Sequence, residues 1–334
     1  MIHTIAHYIN GHRKELDLPS GAGSDLAFFK VGGNPWGKGR INFLVFDKEQ
    51  SEPLLFVKSM REKDRDESLR HEYIMINNLA SYRELVPYLP LPVHLGSLAG
   101  HDIMIQKACH GERILASLSR SPILHFQKQT MANNFSRSLE FITKLHTSVR
   151  NEPSSAEFRR GIIDPFLSFY DGFGSDQNRT ALARLLEEIS TIMGGSPITT
   201  PMHGDYSATN IFIDLDNQIK IIDWETAAEK GLPFLDLFYF MSKYIHNLKI
   251  PPRDRWQRVI RPYFGNTWLS GLIGETVREY CQKTGFSIEL GRALFPLHFL
   301  NKARIKYSMR GKEPAQLWMN LFEYSINNLD KLCF

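Results

Sequence analysis

A change of hydrophobic period part-way along the chain constrains its fold more than any other feature. Residues 27–31, 41–47 and 54–60 are short runs rich in Phe, Val, Ile and Leu, separated by a glycine-rich stretch (32–39) and a polar turn (48–53). Such punctuation predicts an antiparallel meander. The charged segment 61–70 then leads into Leu69, Tyr73, Ile76 and Ala80 at helical spacing, so a helix over residues 66–81 is expected to pack on that meander. Prolines between residues 86 and 93 are expected to break regular structure, and residues 101–107, with Ile103-Met104-Ile105, read as a further strand. After Gly111, a hinge position, the period becomes 3.6. Phe135, Leu139, Ile142 and Leu145 mark a helix over 131–149, residues 179–192 suit a second, and helices resume from Pro233. Between them residues 210–223 return to strand period as a hairpin around Leu215-Asp216-Asn217. The expected fold class is α+β, with a small antiparallel-sheet lobe (residues 1–107) and a larger, mainly helical lobe (residues 108–334).

The chain's 334 residues, 43% hydrophobic and 23% charged, suffice for a sizeable core and lack the signature of disorder. Its formal net charge of +4 is too small to announce a nucleic-acid or membrane-surface protein. The distribution is uneven: residues 241–334 hold fifteen Lys and Arg against seven Asp and Glu, a net +8, whereas residues 1–240 hold twenty-five against twenty-nine. Cys109, Cys281 and Cys333 form neither a CxxC pair nor an even disulfide framework. Residues 1–16 mix His, Asn, Arg, Lys and Glu where a signal peptide needs an apolar run, and no apolar run long enough to cross a membrane occurs. The expected location is cytoplasmic.

The most specific chemical signal is His203-Gly204-Asp205-Tyr206-Ser207-Ala208-Thr209-Asn210, followed by Ile221-Ile222-Asp223-Trp224-Glu225. Phosphoryl transfer needs one carboxylate to accept the acceptor's proton, and an amide oxygen and a second carboxylate to hold magnesium against the nucleotide phosphates. Asp205, Asn210 and Asp223 supply that set, and the hairpin returns Asp223 beside Asn210. Singly, each of these residue types is as common in caps and turns; together they point to chemistry. His203 reads as a loop-orienting histidine. Gly32-Gly33-Asn34-Pro35-Trp36-Gly37-Lys38-Gly39 nearly spells a P-loop, but Gly39 stands where Ser or Thr is needed and a strand, not a helix, follows. A phosphate-covering hairpin fits better, with Lys38 a phosphate candidate.

These motifs resemble the aminoglycoside phosphotransferase and choline kinase family, which has the protein-kinase-like two-lobed fold and transfers the ATP γ-phosphoryl group to a small-molecule hydroxyl. The resemblance covers roughly residues 27–244. It implies that Asp205 is the catalytic base, that Asn210 and Asp223 bind Mg2+, and that ATP is the phosphoryl donor. It also implies a third-strand lysine on the phosphates, fixed by a helix glutamate. Leu55-Phe56-Val57-Lys58 supplies the lysine, and Glu72, sharing a stripe with Ile76 and Leu79, is chosen over Glu67. Residues 105–111 resemble the family's hinge, placing Gln106 to Ala108 beside the base. Asp236 resembles an aspartate that braces the catalytic loop; Glu225 has no assigned role. The aromatic run Phe234, Phe238, Tyr239, Phe240 reads as helix core, and Lys302, Arg304, Lys306 and Arg310 as a solvated helix face.

The expected function is an ATP- and Mg2+-dependent small-molecule kinase. The rivals are a protein kinase, which the short interval from Asp223 to Asp236 disfavours, and a non-catalytic nucleotide-binding module, which the intact Lys58, Asp205, Asn210 and Asp223 disfavour. The C-terminal basic excess suggests a neutral or anionic hydroxyl acceptor and not a polycation.

Overall fold

The structure, a computed structural model, describes residues 1–18, 25–32, 40–48, 50–60, 67–119, 124–174, 176–194, 197–248 and 254–334. The chain divides into two compact units, residues 1–114 with 209–227 and residues 115–208 with 228–334. The first unit runs to Ile114 and takes in the hairpin carrying Asn210 and Asp223.

That unit begins with helix α1 (Ile2–Gly11) and strands β1 (Leu26–Lys30), β2 (Arg40–Asp47) and β3 (Pro53–Met60). Helix α2 (Glu67–Ala80), β4 (Pro92–Leu98), β5 (His101–Lys107) and β6 (Glu112–Arg113) follow. Strands β1 to β5 form one antiparallel sheet in the order β1-β2-β3-β5-β4. Side chains alternate across a strand, so each strand serves two faces. Phe43, Val45, Leu55, Val57, Ile103 and Ile105 bury one face against Ile5 and Ile9 of α1, leaving Asn42, Leu44, Phe56, Lys58 and Gln106 on the other. The sequence reading did not anticipate α1. It is only ten residues long with no side-chain cap, so tertiary burial of its two isoleucines is what holds it helical. The expected break over residues 86–93 shrinks to one 3-10 turn, Val86–Tyr88, and Pro92 opens edge strand β4, a position where a missing N–H is tolerated.

The hairpin joins β8 (Ile211–Ile213) to β9 (Ile219–Ile221), and β6 pairs with β8. Its turn forms because Asp214 Oδ1 accepts the N–H groups of Asp216 (3.0 Å) and Gln218 (2.8 Å), while Asn217 takes a left-handed φ of 60°.

The second unit is helical. It holds α3 (Ala116–Ser119), α4 (Leu124–Ser148), α5 (Ser155–Phe158), α6 (Asp164–Phe173) and α7 (Asp176–Met193). After the short antiparallel pair β7 (Thr200–Met202) and β10 (Ala228–Gly231) come α8 (Leu235–Asn247), α9 (Arg255–Phe264), α10 (Trp268–Thr284), α11 (Ile288–Arg310) and α12 (Lys312–Ile326). Helix α8 is buried on nearly every side, the signature of a central helix. Its N-cap is Phe234 in the left-handed region (φ 67°). The ring's burial against Tyr280 (4.6 Å between centroids) and Phe238 holds that conformation.

Gly111 sits at φ 96°, and a Cβ there would lie 2.1 Å from the Ile213 carbonyl oxygen. Only glycine fits both the conformation and the close approach. Gly111→Ala is expected to cost about 3 kcal/mol from strain and clash together, read as a lowered urea midpoint; an unchanged midpoint would refute this account of the turn.

Candidate active site

In the first unit, Lys58 on β3 reaches both carboxylate oxygens of Glu72 on α2 at 2.7 Å. The lysine side chain is 6% exposed and the glutamate fully buried. The same Glu72 carboxylate accepts the Trp224 N–H at 3.2 Å, so one buried anion ties β3, α2 and the segment after β9 together. Lys58 also stands 3.4 Å from Asp223 Oδ1. Asp223 adopts φ 71°; the left-handed kink takes its carboxylate out of the β8/β9 ladder while Trp224 turns inward, its Nε1–H donating to the Ile221 carbonyl at 2.9 Å. Arg40 pairs with Glu225 and donates to Ser68. Burial and the neighbouring Asp223 raise the Glu225 carboxyl above its ordinary range, against the pull of Arg40 and Lys58. Arg40 is a site contributor that the sequence did not flag, because nothing local links it to a glutamate 185 positions away.

Lys58, Asn210, Asp223, Gln106 and Asn42 line a cavity of about 610 Å³ with Val31, Leu44, Phe56, Phe212 and Ile222 as apolar walls. Two of its amide oxygens, Gln106 Oε1 and Asn42 Oδ1, are buried with no hydrogen-bond partner. An unmet buried acceptor costs about 1–3 kcal/mol, so this cavity suits a ligand that brings donors between apolar plates, as a nucleobase does. The expected hinge needs correction: the N–H groups of Lys107 and Ala108 are spent on the carbonyls of Leu91 (3.0 Å) and Leu54 (3.2 Å). Ala108 does not line the cavity, whereas Gln106, Cys109 and His110 do. Lys38 and the rest of its glycine-rich loop lie outside the described residues.

The donor set suits magnesium. Glu72, Asp223 and Glu225 together carry three carboxylates against the cations Lys58 and Arg40. Asn210 is held beside Asp223 by the Ile222 N–H bonding its carbonyl at 2.9 Å. Among the described residues no group of three or more His, Cys, Asp and Glu could form a metal cage. Mg2+ takes one or two protein ligands together with phosphate and water oxygens and needs no such cage.

In the second unit, Asp236 in the first turn of α8 accepts the N–H groups of His203 (2.5 Å) and Gly204 (3.1 Å), which is the bracing role expected for it. Burial lifts its carboxyl to about 6, against the two N–H bonds that favour the charged form. Gly204 turns at φ 76°, and the Asp205 N–H donates to His203 Nδ1 at 3.2 Å, so His203 orients the loop. Asp205 itself pairs with Lys302 of α11 and accepts the Tyr239 hydroxyl at 2.9 Å. Burial alone would raise the Asp205 carboxyl, but the Lys302 ammonium and the Tyr239 hydroxyl override it and hold it at about 2.

Lys302 corrects the solvated-face reading, for its side chain is 3% exposed. A signal was available: Phe295, His298, Phe299 and Lys302 follow the i, i+3, i+4, i+7 stripe, and the first three are buried. Tyr239 had no such signal inside a run of core aromatics.

No protein-family model matches this sequence, and no curated protein matches it. Solved structures do. The GDP complex of wild-type aminoglycoside 2'-phosphotransferase-IIIa is 13% identical, with 96% of this chain and 98% of that chain covered at a TM-score of 0.53. Choline kinase LicA from Streptococcus pneumoniae is 14% identical over 98% of this chain and 99% of that chain, also at 0.53. LicA in complex with AMP is 13% identical at 0.52, covering 98% and 96%. The chain thus has the fold of aminoglycoside phosphotransferases and choline kinase, the α+β kinase-like class.

Two outcomes follow. Lys58→Ala and Glu72→Ala are each expected to weaken MgATP binding about tenfold, near 1.4 kcal/mol, with the double variant no weaker than the worse single, because Glu72 acts through Lys58; additive losses by calorimetry would break the pairing. The native Asp236 keeps its proton up to about pH 6 and the unfolded one to about 4. Its contribution to stability is therefore full below about pH 4 and lost as pH rises through 6. Urea midpoints across that window are expected to fall more steeply for wild type than for Asp236→Asn; equal slopes would refute the assignment.

Proposed function

We propose that this protein is an ATP-dependent phosphotransferase that moves the γ-phosphoryl group to a hydroxyl of a small, neutral or anionic molecule. The observation that carries this is the buried Lys58–Glu72 pair set on a cavity that also holds Asn210, Asp223 and two unmet amide acceptors. Lys58 binds the α- and β-phosphates, and Glu72 fixes its direction. Gln106 and Asn42 meet the base. Asn210 and Asp223 would hold magnesium, which when bound neutralises charge on the β- and γ-phosphate oxygens.

Asp205 is five residues before Asn210, so even fully extended chain keeps the two within about 17 Å. In the transfer, the acceptor oxygen bonds to the γ-phosphorus as the bond to the β-bridging oxygen breaks, and ADP leaves. A carboxylate held at about 2 is too weak a base to ionise an alcohol beforehand. Asp205 therefore orients the hydroxyl and takes its proton late, when the forming P–O bond has made it acidic.

The acceptor class follows from charge. Lys302 already offsets Asp205, so a cationic acceptor gains little there and meets a chain segment of net +8. A protein acceptor is disfavoured, because β10 and the start of α8 take up the interval between Asp223 and Asp236. Three free cysteines agree with a reducing, cytoplasmic setting, and no described helix is long and apolar enough to cross a membrane.

The test is ADP release from MgATP with sugars, nucleosides, phosphorylated sugars, amino alcohols, polyamines and proteins as acceptors. Turnover is expected with neutral or anionic alcohols, and Asp205→Asn is expected to lose about 10²–10⁴-fold in kcat with MgATP affinity intact. Efficient, salt-sensitive phosphorylation of a polyamine would overturn the acceptor class; nucleotide binding without turnover on any acceptor would favour a binding module.

A further inference from the structure

We propose that Lys302 is a positioning residue for Asp205, its buried ammonium holding the carboxylate ionised and turned for the acceptor hydroxyl; this rests on the phosphotransferase reading above. Three contacts occupy the ammonium: the Asp205 carboxylate, the Gly204 carbonyl at 3.3 Å and the face of the Tyr239 ring, 4.0 Å from its centroid. An ammonium has three N–H donors, so Lys302 is committed to the loop and its neighbour. It acts through Asp205 and not on the substrate. Tyr239 adds a second donor to the same carboxylate oxygen, Oδ1, and Asp236 fixes the two preceding amides. The carboxylate is thereby held from the α8 and α11 sides at once.

The ion pair is poorly explained as a contribution to stability. Lys302 continues the stripe of Phe295, His298 and Phe299, all buried, where a methionine of similar reach would fill the space without desolvating a charge, and a buried pair commonly gains nothing over such a replacement. What the charge alone can do is act on Asp205. Burial pushes that carboxyl toward holding its proton, and a protonated Asp205 could not accept the hydroxyl's proton. The groups acting on Lys302 are Asp205 on the loop, Asp236 and Tyr239 on α8, and Lys306 on α11. Burial and Lys306 push the Lys302 ammonium toward losing its proton, and Asp205 and Asp236 oppose them.

The experiment compares full-length wild type with Lys302→Met and Lys302→Arg, using an acceptor taken from the panel above. Lys302→Met is expected to lose about 10²-fold in kcat, as a misplaced catalytic group does, with MgATP affinity within about twofold of wild type. Its turnover should fall on the acid side, over a range where wild type is flat. Lys302→Arg, which restores the charge, should recover part of the rate. Independently of turnover, the Asp205 carboxyl followed by carbon-13 NMR should titrate at higher pH in Lys302→Met. Wild-type kcat and pH profile in Lys302→Met would overturn the proposal, as would a rate loss equal at every pH and matched by lost thermal stability. An unmoved Asp205 titration in an active enzyme removes this proposal alone. A wild type that releases no ADP with any acceptor removes the phosphotransferase reading, and the positioning role falls with it.

Discussion

A carboxylate buried away from water either finds donors or gives up its charge, and each unit of this protein is organised around one. In the first unit it is Glu72, fully buried, with the Lys58 ammonium on both of its oxygens and the Trp224 N–H on one. Removing that carboxylate would strand a buried ammonium and an amide in separate elements, so β3, α2 and the segment after β9 hold their relative places through it. In the second unit it is Asp236, which gathers two consecutive backbone N–H groups and so sets the course of the chain from His203 into Asp205. Both carboxylates hold their neighbours, Lys58 and the loop leading into Asp205, in fixed positions.

The two anions are stabilised differently, and the difference suits their roles. Glu72 meets a formal cation, the Lys58 ammonium, on both of its oxygens. Asp236 takes its hydrogen bonds from two amide N–H groups, and burial lifts its carboxyl to about 6. Asp205, between Lys302 and Tyr239, goes the other way, down to about 2. Two aspartates, Asp205 on the loop and Asp236 in α8 bracing it, are thus driven apart by environment.

The cavity side of the first unit follows from strand alternation. The residues that bury Phe43, Val45, Leu55 and Val57 against α1 necessarily send Asn42, Leu44, Phe56 and Lys58 to the opposite face. The apolar plates, the buried lysine and the amide oxygens of the cavity are therefore one consequence of packing α1 on the back of the sheet, and a register slip of one residue in β3 would exchange core and cavity.

Much of this was legible in the chain itself. Period two over residues 27–60, the helix carrying Glu72, the hairpin between Asn210 and Asp223, and the choice of Glu72 over Glu67 all depend on neighbours a few positions away, which local sterics and burial fix. Helix α1 and strand β4 were missed because their own signals are weak and their partners, the sheet face and β5, lie far along the chain. The hinge amides were misplaced because hydrogen-bond pairing of Lys107 and Ala108 with Leu91 and Leu54 is decided by the sheet, not by their side chains. The motif singles out Asp205, but nothing in the sequence points to its counter-ion: Lys302 lies 97 positions away, and the rule that lysines face water is broken there by the packing of α11 against α8 and the loop. Residue types and local spacing determined which groups could do chemistry here; tertiary structure alone decided which of them are paired, because a charge acts only on what folding brings within a few ångströms of it.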